Sequence, residues 1–99
     1  MNTHAKGARR EREFELILKE RGFKTFKPTW SRFNKNKDMF NTFDIMGINK
    51  DKLVFVQVKS NKCPASVIRK IKKFKVPINV EKWVAIKPDR KDWIEERIY

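Results

Sequence analysis

Phe43-Asp44-Ile45-Met46-Gly47-Ile48, Asn49-Lys50-Asp51-Lys52 and Leu53-Val54-Phe55-Val56-Gln57-Val58-Lys59 are three consecutive stretches whose reading decides the fold. The outer two are rich in β-branched and other apolar residues, and the Asn/Lys/Asp stretch has the composition of a loop. Together they predict a β-hairpin. If Ile48 pairs with Leu53, Ile45 pairs with Val56 and Asp44 stands opposite Gln57, with β-carbons about 5 Å apart. Lys59, two residues on, shares that side. Met46, Ile48, Leu53 and Phe55 continue it, while Val54, Val56 and Val58 line the other. Both sides are apolar except at one end, so the sheet is expected to be covered on both faces.

Outward from the hairpin, residues 7–21 predict a helix with Phe14, Ile17 and Leu18 on one face and Gly22 as its C-cap. Phe23–Lys27 reads as a short strand ended by Pro28. Trp30–Asn41, rich in Asn, Lys and Ser, has no clean period and reads as a basic loop. Ala65–Lys75 predicts a basic helix that buries Val67, Ile68, Ile71 and Phe74. Lys82–Lys87 and Trp93–Tyr99 read as two further strands, the last at an edge. The expected order is α-β-β-β-α-β-β: an α/β fold, a central mixed β-sheet flanked by helices, in a single domain over residues 1–99.

Composition narrows the partner. Among 99 residues, Lys and Arg number 25 against 12 Asp and Glu, for a formal charge of +13. Two segments are basic and free of acids, Lys24–Lys37 and Lys59–Lys75. A charge spread this way through a folded chain draws it to phosphate backbones, so nucleic acid is the expected partner. No apolar run approaches the ~18–20 residues a membrane span needs, and Met1–Gly7 has no secretory stretch. The expectation is no membrane partner and a cytoplasmic location. Cys63 is the only cysteine and His4 the only histidine, which argues against disulfides, a cysteine zinc cluster and histidine catalysis. The three glycines form no phosphate loop. Trp30, Phe33 and Phe40 alternate with Arg32, Lys35 and Lys37, a pattern that suits either base stacking or packing.

Asp44, Gln57 and Lys59 gather at the polar end of the hairpin, and polar groups buried there need partners. Two readings are open. Asp44 and Lys59 form a salt bridge capped by Gln57, or the carboxylate and amide oxygens hold magnesium or manganese with the Val58 carbonyl. In the second, Lys59 orients water or stabilises the pentavalent phosphate. Glu11 falls about 20° from Leu18 around the first helix, at the border of the inward stripe. If that helix packs on the hairpin's face, Glu11 reaches the same ion, and Arg9, Arg10 and Arg12 meet phosphates.

Gly7-Ala8-Arg9-Arg10-Glu11-Arg12-Glu13, running to Arg21-Gly22-Phe23, resembles the opening helix of archaeal-type Holliday junction resolvases. Asp44-Ile45 followed by Val56-Gln57-Val58-Lys59-Ser60 resembles the bipartite motif of the wider PD-(D/E)XK nuclease superfamily. The resemblance covers residues 7–63, and 64–99 in outline. It implies a restriction-endonuclease-like core and a homodimeric, magnesium-dependent endonuclease, with manganese as a substitute, acting on branched DNA. Glu11 matches the helix glutamate, Asp44 the metal-binding aspartate and Lys59 the catalytic lysine. Lys27 occupies a position where these resolvases often hold a basic residue, and Ser31-Arg32 resembles the serine-plus-base segment that approaches the scissile phosphate. Lys27 and Lys62 are further expected DNA contacts. Gln57 stands where glutamate is usual, which removes a charge and weakens ion binding. Two other functions stay open: a non-catalytic nucleic-acid-binding module on the nuclease fold, and a nuclease of this fold acting on flap, single-stranded or linear DNA.

Overall fold

The computed structural model describes residues 3–28, Met39 and 42–99, with the backbone alone for residues 3–6. Ser31, Arg32 and the aromatics Trp30, Phe33 and Phe40 lie outside the described residues, as does nearly all of the expected basic loop. The elements are α1 (Thr3–Glu20), β1 (Lys24–Phe26), β2 (Ile45–Ile48), β3 (Leu53–Ser60), α2 (Ala65–Lys73), β4 (Val80–Lys87) and β5 (Ile94–Ile98). Their order is the expected one. α1 begins four residues earlier than the sequence suggests, with Gly7 inside the helix rather than at its start. β5 begins after Trp93, which lies against α1 instead, its ring 5.0 Å from that of Phe14.

The five strands form one mixed sheet in the order β1-β2-β3-β4-β5. Only β3 and β4 run parallel, over eight paired residues from Leu53↔Val80 to Ser60↔Lys87. A parallel step cannot be closed by a tight turn, and α2 supplies the crossover. β2 and β3 pair Ile48↔Leu53, Met46↔Phe55 and Ile45↔Val56, the hairpin register read from the sequence. Asn49 fixes the turn by accepting the Asp51 and Lys52 N–H groups on Oδ1, at 2.8 and 2.9 Å.

Both faces are covered, as the double-sided apolar pattern requires. α1 packs Phe14 and Leu18 against Ile45, Val54, Val56, Val58 and Ala85, with Trp83 and Trp93 at the margin. On the opposite side, Phe43, Phe55, Ile71, Val84 and Ile98 form a second cluster, edged by Val67, Ile68 and Phe74. Burial of each large side chain contributes about 1.5–3 kcal/mol, so the two clusters hold the helices to the sheet. No helix among the described residues is long and apolar enough to cross a membrane.

Candidate active site

Asp44 is seated by the turn that precedes it. Met39 and Phe43 form an isolated bridge, with N–H to carbonyl distances of 2.7 and 3.0 Å in the two directions. The buried Phe43 ring stacks on Phe55 at 5.2 Å and meets Phe74 edge-on at 5.4 Å. Chain entering β2 is thereby locked, and the carboxylate that follows Phe43 is only 6% exposed.

Asp44 departs from the register expected for it. Its N–H donates to the Val56 carbonyl at 2.8 Å, although Val56 already pairs with Ile45. Two residues of one strand therefore oppose one of the other, a bulge at the mouth of the hairpin. The Asp44 Oδ2 accepts the Val58 N–H at 2.8 Å. The carboxylate thus reaches along the sheet to the main chain of residue 58 instead of standing squarely opposite Gln57. In a strand the carbonyl and N–H of one residue point the same way, so the Val58 carbonyl also faces Asp44.

Gln57, 6% exposed, lies between Phe55 and Lys59 on the side covered by α2. Lys59 is half-buried at the end of the same row. The parallel pairing extends this row across the sheet from Gln57 to Val84 and on to Glu96. Burial pushes the Cys63 thiol up, with Lys59 pulling it down and Glu96 pushing it up, so both charges lie near that sulfur. Glu96 has no sequence signal of its own; only the register of β4 and β5 brings it to this side.

Glu11 reaches the sheet's end from the other direction. α1 covers the valine side, opposite Gln57 and Lys59. Its carboxylate lies 3.8 Å from the Lys27 ammonium, both side chains largely buried, which brings two of the expected residues together. Arg10 is engaged within the fold. Its guanidinium, 12% exposed, lies 3.0 Å from Glu13 and 3.8 Å from Asp89. The Asp89 N–H donates to Asn61 Oδ1 at 2.9 Å, and the Asn61 N–H donates to the Lys87 carbonyl at 3.1 Å. Asn61 takes the left-handed φ of 65°, which asparagine tolerates better than most residues, and turns the chain off β3. This α1-to-β3 tie through Arg10, Asp89 and Asn61 was missed because its members are far apart in sequence. Arg9, Arg12 and Lys62 are exposed.

Among the described residues no group of three or more His, Cys, Asp and Glu side chains is placed to hold a metal ion. The oxygen donors at this end of the hairpin are of a different kind: the Val58 carbonyl on the Asp44 edge of β3 and the Gln57 amide on the side covered by α2. These are hard oxygen ligands of the sort magnesium accepts, usually alongside retained waters.

A family model described as archaeal Holliday junction resolvase (Hjc) matches residues 2–97. Among solved structures the chain is similar to a Holliday junction resolvase of Archaeoglobus fulgidus, from an archaeal hyperthermophile. The TM-score is 0.69 and the identity 23%, covering 94% of this chain and 73% of that one. No curated protein matches the chain.

Proposed function

Since this chain belongs to the archaeal Holliday junction resolvase family, we propose that it is an endonuclease cutting the phosphodiester backbone of branched DNA, with the four-way junction as substrate. The observation that carries this reading is Asp44: a carboxylate buried at the sheet's end and pinned by the Val58 N–H at 2.8 Å. Gln57 and Lys59 follow on the paired strand. A buried carboxylate held so deliberately is characteristic of a working site.

Asp44, the Val58 carbonyl, Gln57 and Glu11 are the residues that would hold magnesium, or manganese through the same oxygen donors. When bound, the ion supplies Lewis-acid activation of water at the scissile phosphate. The chain's own groups do the rest. The Val58 N–H fixes the orientation of the Asp44 carboxylate. Lys59 places a positive charge where the phosphate gains negative charge in the transition state. Arg9, Arg12 and Lys62, all exposed, hold flanking phosphates, while Lys27 is engaged by Glu11 and positions that carboxylate. One site cuts one strand, and a junction has near-twofold symmetry, so a homodimer is the form that resolves it. The neutral Gln57 favours a second reading, a binding module without turnover.

The test is to incubate the protein with labelled four-way junction, flap, single-stranded and linear DNA, in magnesium, manganese or EDTA. Junction cleavage that EDTA abolishes supports the proposal, cleavage of all forms supports a less selective nuclease, and binding without cleavage supports the module. Asp44→Asn is expected to slow cleavage at least about 100-fold with junction affinity retained; unchanged cleavage removes Asp44 from the mechanism. Gln57→Glu is expected to raise the rate or lower the magnesium requirement, and a loss of activity would show that the amide has a role of its own.

A further inference from the structure

We propose that the outer face of α2 is a phosphate track that holds the duplex arm leaving the cut site, an inference that rests on the DNA-cutting reading above. α2 turns Val67, Ile68 and Ile71 to the sheet. At 100° per residue, Arg69, Lys72 and Lys73 fall within about 100° of one another on the side away from Ile71. All three are exposed, as are Lys62 before the helix and Lys75 after it. No acid occurs anywhere from Lys59 to Lys75.

Elsewhere among the described residues six bases are paired with acids, and Arg12, Lys19 and Lys50, outside those pairs, each have an acid next to them in the sequence. Arg10 and Arg9 meet Glu13, Arg21 meets Glu95, Lys27 meets Glu11, and Lys52 and Arg97 share Glu81. Arg69, Lys72, Lys73 and Lys75 join none of the ion pairs among the described residues. Like charges four apart, such as Arg69 and Lys73, destabilise a helix by a few tenths of a kcal/mol. Favourable interaction with the helix C-terminus explains bases in its last turn, but not a surface stripped of every acid.

Placement gives the row a direction. α2 begins at Ala65, five residues after β3 ends at Ser60 beside Lys59, and it returns the chain to Val80, level with Leu53 at the other end of the sheet. The row therefore starts at the rim of the candidate site and runs away from it. Arg69 and Lys73 are about 6 Å apart along the axis, close to the ~6.8 Å of two axial rises between phosphates of one strand at about 3.4 Å each.

The experiment compares two triple variants of the full chain, R69Q/K72Q/K73Q and K19Q/K24Q/K50Q, which lose the same charge. The second set is exposed and lies at the end of the sheet away from Asp44. Junction binding is measured across a salt series, together with single-turnover cleavage at saturating protein. The α2 variant is expected to bind at least about tenfold more weakly at 0.1 M salt. Its log-affinity against log-salt slope should be shallower by about 2.7, at roughly 0.9 per phosphate contact, with cleavage at saturation unchanged. R69Q/K73Q, a milder change, should lose about 1.8 of slope. The second triple should keep the wild-type slope. Equal losses in both triples overturn the track while leaving the cutting reading intact. A wild-type chain that neither binds nor cuts the junction overturns both.

Discussion

The two helices of this protein close their C-termini in opposite ways. α1 ends from within its own sequence. Gly22 takes φ +93°, its N–H donates to the Lys19 carbonyl at 3.0 Å, and the Phe23 N–H donates to the Leu18 carbonyl at 3.0 Å. This is the paired closure for which glycine is favoured, with Phe23 buried over the last turn. α2 ends at Phe74 with extended backbone and no glycine. Its carbonyls at Ile71 and Phe74 instead accept the Lys82 ammonium, at 2.9 and 2.8 Å, from the middle of β4. Lys82 is 5% exposed, and burial, with Lys75 nearby, holds its pKa below the usual lysine value. A helix that closes itself carries its stop signal wherever it goes. A helix closed by a strand is completed only when the sheet forms.

Three substitutions sharpen that contrast. The largest effect is expected at Ile71, the one residue of α2 that is fully buried, whereas α1 has both Phe14 and Leu18. Ile71→Ala should lose about 2–5 kcal/mol in chemical denaturation, and exchange protection should fall in α2 before α1. An equal loss of protection in both helices would mean that α2 is not separately anchored. Lys82→Met should lose about 1–3 kcal/mol, because the Phe74 carbonyl loses the ammonium and the Ile71 carbonyl keeps only the Phe74 N–H at 3.1 Å.

The lysine's titration gives the Lys82→Met comparison a sign. The folded-state pKa is lowered, so as pH rises towards the ordinary value near 10.5 the unfolded chain holds the proton more tightly than the folded one. Wild-type stability therefore rises relative to Lys82→Met over that range; a gap that narrows instead would contradict a desolvated ammonium. Gly22→Ala should lose about 1–2 kcal/mol through the left-handed φ alone, since nothing lies within 4 Å of an added β-carbon. A thermal melt unchanged by that substitution would show that the turn relaxes to another form.

Much of the site can be read from the chain for the same reason as the α1 stop. The hairpin from Phe43 to Lys59 is local, and its alternation sets which residues share a side. Residue 44 escapes that reading. The periodic pattern places it opposite Gln57, but the bulge that lets its carboxylate take the Val58 N–H depends on how Phe43 wedges against Phe55 and Phe74. Arg10 shows the limit from the other side. A basic helix position suggests a phosphate contact, yet Glu13 and Asp89 take up its guanidinium.

By itself the sequence determined the order of elements, the hairpin register, the Gly22 stop, the inward face of each helix and the surplus of positive charge. Each of these depends on neighbours a few residues apart. The tertiary structure alone decided that α1 covers the valine side, that Lys82 closes α2, and that Glu96 joins the row of Gln57. With both faces of the hairpin apolar, an amphipathic helix carries the instruction to be buried but none about which face to cover. Only competition between the two helices for the two faces resolves that choice.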